Sequence, residues 1–237
     1  MLAGDSAIIV EFGDKVSVEI NTRVRSLSLH LEKHPLKGIK ETVPTYRSLM
    51  IHYDPIKLPL AILQKELEKG IIESAHAPPP RSRKIIIPVK YGGEYGPDIK
   101  DVADYNKISS EEVINVHTSM NYLVYMIGFT PGFPYLGEVP SSIKCPRLTT
   151  PRVRVPSGSV GIAGTLTGIY SVESPGGWRL IGRTPLKLFD QESNQPFLLQ
   201  AGDYIKFRSI DDKEYEDILN KVQVGKYQKE IQDSGNQ

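Results

Sequence analysis

The chain has 237 residues, of which 39% are hydrophobic and 24% are charged, and its formal net charge is +1. These values are ordinary for a globular protein, and the near-neutral charge gives no electrostatic case for binding nucleic acid or an anionic membrane surface. No segment approaches the roughly 20 apolar residues that a membrane-spanning helix needs. We therefore expect no nucleic acid and no membrane among its partners.

The single cysteine, Cys145, leaves no partner for an internal disulfide and is typical of a reducing compartment. Its sequence neighbours include no histidine or acidic residue that would activate it as a nucleophile, so we interpret it as structural. The first residues, 1–5, have no basic segment followed by an apolar run, so we expect no secretory signal. The expected location is the cytoplasm.

The first 80 residues predict a small α/β domain. A β-prone segment at 7–12 is followed by apolar residues at helical spacing over 16–31. Two alternating strands follow within 39–53, and a second helical stripe covers 60–71. The order β-α-β-β-α predicts a ferredoxin-like α/β sandwich of the split βαβ type over residues 1–80.

A stiff, exposed linker is indicated by the sequence AHAPPPRSR at 75–83, because consecutive prolines favour an extended chain. The strand that follows, around Ile85, suits either domain, so the boundary stays open by several residues. We place the second domain at 84–210 and treat 211–237 as a polar tail, partly helical or disordered. The last ten residues are expected to be loose.

The second domain opens with a strand and two short helices, and then changes to a β pattern from Tyr122 onward. Ser109 with Glu112 has the spacing of a helix N-terminal capping box. Glycine and proline are dense over 122–185, yet apolar residues are interleaved with them. That combination excludes helix and favours short strands joined by specific turns, as in a β-barrel or sandwich.

Five arginines surround a glycine-rich segment, VPSGSVGIAG, at 155–164. They are Arg147, Arg152, Arg154, Arg179 and Arg183. Arginine binds carboxylate and phosphate through paired hydrogen bonds, and free backbone N–H groups beside small residues can cradle an anion. We therefore predict a groove for an anionic small molecule, in which the anion-binding residues are Arg152, Arg154, Ser157, Ser159 and Gly161. The alternative is that the arginines are ordinary surface residues and the glycines serve barrel corners.

His117 lies on the predicted inner face of the second short helix. It is either a satisfied core histidine or a titratable group at the edge of a pocket. The sequence has no phosphate-binding loop and no G-x-S-x-G nucleophile elbow. Two histidines, His30 and His34, have the spacing of a metal-binding pair but no third ligand nearby, so we expect no metal site.

Six motifs in fixed order give the chain a resemblance to a known family. They are GDSAIIVEFG at 4–13, IPVKYGGEYGPD at 87–98, NYLVYMIGFTPGFPYLG at 121–137, VPSGSVGIAG at 155–164, TGIYSVESPGGWRLIGRTPLKLF at 167–189 and AGDYIKF at 201–207. The chain resembles the allophanate hydrolase subunit 1 family, which includes the B component of 5-oxoprolinase and the KipI-type inhibitors of sporulation histidine kinases. The resemblance covers nearly the whole chain and weakens after Ser209.

The resemblance implies an α+β fold whose C-terminal domain is a cyclophilin-like β-barrel. It implies ATP-dependent opening of 5-oxo-L-proline to L-glutamate together with the C and A components of 5-oxoprolinase, with ATP and Mg²⁺ bound here or on the partner. A cleft shared with the C component would be lined by His117 and Arg183 in catalytic roles. We expect the partner interface at an exposed apolar patch formed by Phe133, Pro134 and Tyr135.

The same family support leaves two alternative functions. One is a KipI-type protein that binds a sporulation histidine kinase. The other is a carboxyltransferase-type protein that acts on a substrate related to urea or allophanate. Motif content alone does not separate these three functions.

Overall fold

The structure is a computed structural model that describes residues 1–234. Backbone contacts divide the chain into two compact units, Met1–Arg81 and Ser82–Gln237. Each unit has an apolar core of its own. Within the described residues, no helix has both the length and the apolarity needed to cross a bilayer.

The N-terminal unit is a three-stranded antiparallel sheet with two helices. Its elements are β1 (Ala7–Glu11), α1 (Val18–Lys33), β2 (Ile39–Pro44), β3 (Ser48–Tyr53) and α2 (Leu60–His76). The strand order is β1-β3-β2, so β3 lies between the two strands that α1 connects. This order is the split βαβ arrangement of the predicted ferredoxin-like sandwich.

Local chemistry explains where these elements begin and what they bury. Ser17 caps α1 by accepting a hydrogen bond from the backbone N–H of Ile20 at 3.1 Å. The helical stripe predicted from the sequence packs against the sheet, where Leu27 of α1 and Leu63 of α2 meet Ile51 of β3 with no exposed surface. These contacts form the core of the first unit.

The second unit contains most of the strands. Its elements are β4 (Ser82–Tyr91), α3 (Ile99–Asn106), α4 (Ser110–Ser119), β5 (Asn121–Ile127), β6 (Pro134–Glu138), a short 3-10 helix (Ser141–Ile143), β7 (Arg152–Val155), β8 (Ser159–Ala163), β9 (Leu166–Ile169), β10 (Ser174–Gly176), β11 (Arg179–Arg183), β12 (Tyr204–Ser209), α5 (Asp212–Gln223) and β13 (Ile231–Ser234). Ser109 caps α4 through a 3.1 Å hydrogen bond from the N–H of Glu112, as predicted.

Seven of these strands close into a barrel in the order β11-β8-β9-β6-β5-β12-β4, and β11 pairs with β4 to complete the circle. Together with the two short helices α3 and α4, this barrel confirms the predicted α+β fold class. The strand around Ile85, which by sequence suited either domain, belongs to β4 of the barrel.

Strand β8 of the barrel is covered on both faces. Inside, the core includes Val89, Val160 and Phe207. Outside, a second cluster forms around Phe133 and Trp178, beneath the separate two-stranded sheet of β7 and β10. All five residues of β8 are therefore buried, and the sequence lacks the alternation of a half-exposed strand.

The C-terminal tail is more ordered than expected. Helix α5 contributes Tyr215 and Ile218 to the barrel core. Strand β13 pairs antiparallel with the first part of β4, Ile231 opposite Ile85 and Ser234 opposite Ser82. The prediction that the last ten residues are loose is therefore wrong for 231–234, and residues 235–237 lie outside the described part of the chain.

Candidate functional site

Three polar residues form a row across the strands where the barrel closes. Arg183 of β11 lies directly opposite Lys90 of β4 on one side and Ser159 of β8 on the other. Opposite residues on antiparallel strands place their Cβ atoms about 5 Å apart on the same face of the sheet. Val89 and Tyr91, which flank Lys90, belong to the inner core, so the row lies on the outer face. We call Lys90, Arg183 and Ser159 the basic row.

The two cations of the basic row differ in how they are neutralised. Lys90 Nζ donates a hydrogen bond to Asp212 Oδ2 at 2.9 Å. Within the described residues, Arg183 has no carboxylate at ion-pair distance. Its guanidinium lies over the ring of Tyr95, 5.5 Å from the ring centroid, and Tyr95 in turn packs against Tyr215. Arg183 is thus held by a cation–π contact in place of an ion pair.

Two atoms of the basic row are buried without a hydrogen-bond partner among the described residues. They are Arg183 Nε and Ser159 Oγ. Leaving a buried donor unpaired costs about 1–3 kcal/mol, so such atoms are rare and call for a physical explanation. An arginine N–H and a hydroxyl side by side can both donate to one oxyanion. These two atoms are candidate donors to an anionic ligand.

The loop that carries Tyr95 is fixed against β11 by a buried carboxylate. Asp98 is 5% exposed. Its Oδ2 accepts a hydrogen bond from the backbone N–H of Leu180 at 2.7 Å, and its Oδ1 accepts one from Arg152 Nη2 at 2.6 Å. A Cβ atom on Gly96 would overlap the carbonyl of Ile181, so only glycine permits the loop to lie this close. The loop thereby holds Tyr95 over Arg183.

The role of Arg152 therefore differs from the predicted one. Its guanidinium is committed to Asp98, and this contact ties β7 to the loop and to β11. The prediction of Arg152 as an anion-binding residue has no support in this geometry, because its charge is already balanced. Asp98 is therefore the acidic partner of Arg152.

Two other arginines near the glycine-rich segment also have carboxylate partners. Arg154 is exposed and donates two hydrogen bonds to Glu173, at 2.9 and 2.7 Å. Arg179 donates to Asp101 at 2.5 Å. The guanidinium of Arg147 lies over the ring of Trp178, 6.0 Å from the ring centroid. Of the five arginines of the predicted groove, Arg183 alone belongs to the basic row.

The other two predicted anion-binding residues, Ser157 and Gly161, make contacts within the barrel unit. The Ser157 hydroxyl donates to the carbonyl of Ser171 at 2.8 Å. Gly161 lies beneath Trp178, whose Cβ would be 3.1 Å from a Cβ on this glycine. Of the predicted anion-binding residues, only Ser159 belongs to the basic row, where it lies opposite Arg183, the residue for which the resemblance implied a catalytic role.

His117 occupies the centre of a buried hydrogen-bond chain. Its Nδ1 is 2.8 Å from the Tyr91 hydroxyl, and its Nε2 is 3.0 Å from Thr167 Oγ1. The Thr167 hydroxyl donates to the carbonyl of Gly161 at 3.0 Å. The consistent assignment has Tyr91 donating to Nδ1 and a neutral His117 donating from Nε2 to Thr167. The chain of bonds ties helix α4 to the glycine-rich strand β8.

The environment of His117 keeps the ring neutral. It has no exposed surface, and it stacks on Phe207 with 4.4 Å between ring centroids. Burial lowers the pKa of His117 to about 3. A ring with both nitrogens bonded and no solvent contact matches the satisfied core histidine that the sequence left as an alternative. A catalytic role for His117 has no geometric support.

The predicted interface residues are largely buried. Phe133 is 2% exposed and Pro134 is also buried, while Tyr135 is half-buried. The expectation of an exposed patch at Phe133 and Pro134 is therefore wrong, because the outer apolar cluster of the barrel covers them.

The exposed aromatic residue of this loop is Phe129, which is 67% exposed and has a φ angle of 68°. A bulky residue in the left-handed region is strained, and such strain is concentrated at functional positions. Phe197, 44% exposed, lies beside the same loop, with its ring 3.5 Å from where a Cβ on Gly132 would stand. We call Phe129 and Phe197 the aromatic surface.

Two members of the site were missed by the sequence reasoning. Lys90 lies in the segment KIIIPVKY, in which Ile87 and Val89 are buried. Side chains alternate between the two faces of a strand, so Lys90, one residue after Val89, points to the opposite face. The sequence therefore did contain a signal that Lys90 faces outward. Tyr95 lies in a glycine-rich loop with no periodicity. Its position over Arg183 depends on long-range contacts, and no local signal reveals it.

Cofactor binding has little support in this chain itself. Within residues 1–234, no group of three or more histidine, cysteine, aspartate or glutamate side chains is arranged to hold a metal ion. The phosphate-loop sequence is absent as well. The expectation that ATP and Mg²⁺ are bound here or on a partner stays a prediction.

Comparison with known proteins shows one family match and one relative that both cover most of the chain. The profile of the family described as "Carboxyltransferase domain, subdomain C and D" matches residues 1–199. The chain is 43% identical to the B component of 5-oxoprolinase from Bacillus subtilis over 222 residues, which cover 90% of this chain and 92% of that protein. The similarity therefore extends over nearly the full length of both.

Two solved structures share the fold. The protein TTHA0988 matches with a TM-score of 0.78 and 38% identity over 86% of this chain, and this chain spans 40% of the length of TTHA0988. The urea carboxylase of Kluyveromyces lactis matches with a TM-score of 0.80 and 24% identity over 98% of this chain and 23% of that protein. At that identity the second likeness concerns the fold alone.

Replacing Asp98 with Asn should destabilise the barrel unit by about 3 kcal/mol or more, because it leaves the half-buried Arg152 without a balancing charge. The matched control is Glu173→Gln, which breaks the exposed pair with Arg154 and should cost less than about 1 kcal/mol. Denaturant unfolding followed by the fluorescence of Trp178, the only tryptophan, measures both. Equal losses in the two variants would contradict the bracing role of Asp98.

The barrel unit should lose stability as the pH falls from 7 to 5. His117 has a pKa of about 3 when folded and 6.5 when unfolded, so over this range the unfolded state takes up the proton and the folded state does not. The expected loss from this residue is about 2 kcal/mol. His117→Gln should lower the free energy of unfolding at pH 7 and flatten its dependence on pH. The control His34→Gln, which changes an exposed histidine, should leave the pH dependence of stability as it is in the wild type. If the stability of His117→Gln fell with pH as steeply as that of the wild type, protonation of His117 would not be the cause of the loss.

Proposed function

This chain belongs to the carboxyltransferase-domain family of subdomains C and D, and we propose that it is the B component of an ATP-dependent 5-oxoprolinase. In this proposal it acts together with the C and A components to convert 5-oxo-L-proline to L-glutamate in the cytoplasm, and it is inactive alone. The observation that carries the proposal is the 43% identity to the Bacillus subtilis protein over 90% of this chain and 92% of that protein.

The chemistry of the reaction fits an arginine-containing site. The substrate is a five-membered lactam with one carboxylate, and its amide carbon is a poor electrophile. Phosphorylation of the amide oxygen by ATP would make that carbon attackable by water, with negative charge developing on oxygen. Fixed hydrogen-bond donors in a site shielded from water stabilise such charge. Arg183 and Ser159 are the donors that this chain would contribute to the site, where they would hold an anionic group of the substrate.

The nucleotide belongs elsewhere in the proposed assembly. The described residues offer no phosphate loop and no cluster of metal-binding side chains. We therefore assign ATP and Mg²⁺ to a site on a partner protein, with this chain contributing its basic row to a shared cleft. This division of labour explains why the isolated chain would not turn over substrate.

The two alternatives from the sequence have less support. No contact within the described residues favours binding of a histidine kinase. The likeness to urea carboxylase concerns the fold alone, and fold does not fix the reaction. Both alternatives are outcomes of the experiment below.

The direct test is glutamate formation from 5-oxoproline and ATP with this chain alone, with the C component, and with both the C and A components. We expect turnover in the full mixture only, and a loss of about 10-fold or more in kcat/KM for Arg183→Gln, because a charged hydrogen bond contributes about 1.5–3 kcal/mol. The matched control is Arg208→Gln, which removes an ion-paired arginine on β12. Stable assembly without turnover would exclude the oxoprolinase function and make kinase binding and urea carboxylation the next assays.

The aromatic surface is the proposed contact with the C component. Phe129→Asp should abolish co-purification with the C component while the chain stays folded, since Phe129 is exposed and aspartate tolerates a positive φ angle. Tyr105→Asp, which changes an aromatic residue of similar exposure on α3, should retain binding. Circular dichroism of both variants checks the fold. Unchanged co-purification of Phe129→Asp would remove this loop from the interface.

A further inference from the structure

The charge around Arg183 limits which anion the basic row can hold. Burial comes first in raising the pKa of the Tyr95 hydroxyl, and the nearby carboxylates Glu94, Glu216 and Asp212 raise it further. Of these three carboxylates, Asp212 is paired with Lys90, and Arg183 acts on Tyr95 in the opposite direction from the carboxylates. The site therefore lacks the strongly positive field that concentrates polyanions.

We infer that Arg183 and Ser159 bind the carboxylate of the lactam substrate, and not a phosphate of the nucleotide. The inference rests on the proposed function and deepens it by assigning one group of the substrate to two atoms of this chain. Arg183 Nε and Ser159 Oγ are buried and unpartnered among the described residues, and their residues stand opposite each other in the register of β8 and β11. A carboxylate has two oxygens and can accept from both donors at once.

The charge balance separates the two classes of ligand. A carboxylate brings one negative charge, which Arg183 neutralises. A nucleotide triphosphate brings several charges and would meet Glu94, Glu216 and Asp212 without further cations to offset them, because Lys90 is already paired with Asp212. Phosphate-binding sites supply clustered N–H groups or several cations. Within the described residues, the basic row supplies one cation that has no carboxylate partner.

The aromatic contact adds a second feature that suits a small cyclic acid. Tyr95 holds the guanidinium of Arg183 by a cation–π contact, and the loop that carries Tyr95 is fixed by Asp98. Arg183 is thereby positioned before a ligand arrives, which reduces the entropy lost on binding. A carboxylate that binds here is oriented by a preformed donor pair, and the lactam ring then projects toward the shared cleft.

The kinetic test uses the assembled complex of this chain with the C and A components. Arg183→Gln should raise KM for 5-oxoproline about 10- to 100-fold and leave KM for ATP within about twofold. Ser159→Ala should raise KM for 5-oxoproline by a smaller factor. It should leave the melting temperature unchanged, because the hydroxyl has no partner within the described residues. The control Arg208→Gln should change neither constant. A rise in KM for ATP, or no change in KM for 5-oxoproline, would overturn the inference.

A binding test on the isolated chain separates this inference from the proposed function. Titration calorimetry compares 5-oxo-L-proline with 2-pyrrolidinone, the same lactam without the carboxylate. We expect a heat of binding for 5-oxo-L-proline and none for 2-pyrrolidinone. The Arg183→Gln variant should give no heat of binding with either compound. Equal binding of the two lactams, or binding that Arg183→Gln leaves unchanged, refutes the carboxylate assignment even if the complex turns over. If the complex is inactive but 5-oxo-L-proline binds in a manner that depends on Arg183, the 5-oxoprolinase function is refuted and the carboxylate site at Arg183 is supported. If the isolated chain binds neither lactam, the site does not exist without its partner and the inference is wrong as stated.

Discussion

The pairing of β11 with β4 closes the barrel, and the candidate site lies on that seam. Gly182 lies opposite Tyr91, where a Cβ atom would stand 2.6 Å from Val89 Cγ1, so a side chain there would push the two strands apart. One residue later, the same register sets Arg183 opposite Lys90. Like charges at such a distance repel, and the repulsion is relieved by a carboxylate beside one cation and an aromatic ring beneath the other.

Polar residues of the barrel unit separate into two groups by how completely they are bonded. Asp98, Arg152 and His117 each have their buried hydrogen-bonding atoms paired, and they connect elements that are distant in sequence. Arg183 and Ser159 retain buried donors without a partner among the described residues. A fully paired group stabilises one conformation, whereas an unpaired buried donor keeps its capacity for a ligand. By that criterion the first group braces the fold, and Arg183 with Ser159 forms the candidate site for a ligand.

Local patterns were sufficient to predict the sandwich, the two short helices and the capping serine. Helical spacing and capping chemistry act within a few residues, so the sequence displays them directly. The order of the barrel strands depends on contacts between distant segments; the resemblance to a family implied the barrel but not this order. Strand β13 was missed because its pairing with β4 is long-range and its own sequence is polar.

The sequence predicted which residue types form the candidate site, but not which individual residues belong to it. Arginines near a glycine-rich segment indicated an anion site, and Arg183 with Ser159 came from that set. Arg152 and Arg154 share the same local signal, and only the positions of Asp98 and Glu173 reveal that they are already paired. Phe133 was expected in an exposed apolar patch, but it belongs to a second apolar cluster outside the barrel, which depends on long-range contacts that the local sequence does not reveal.

The position of β4 in the chain has a consequence for synthesis on the ribosome. The strand opens the barrel unit, yet its parallel neighbour β12 begins at Tyr204, which pairs with Lys84. Bringing such distant segments together is slow, because loop closure costs entropy before any contact offsets it. The N-terminal unit, complete at Arg81, can therefore fold while the barrel is still being made. During that interval the apolar strand β4 has unpaired edges, and such edges favour aggregation until their partners have been made.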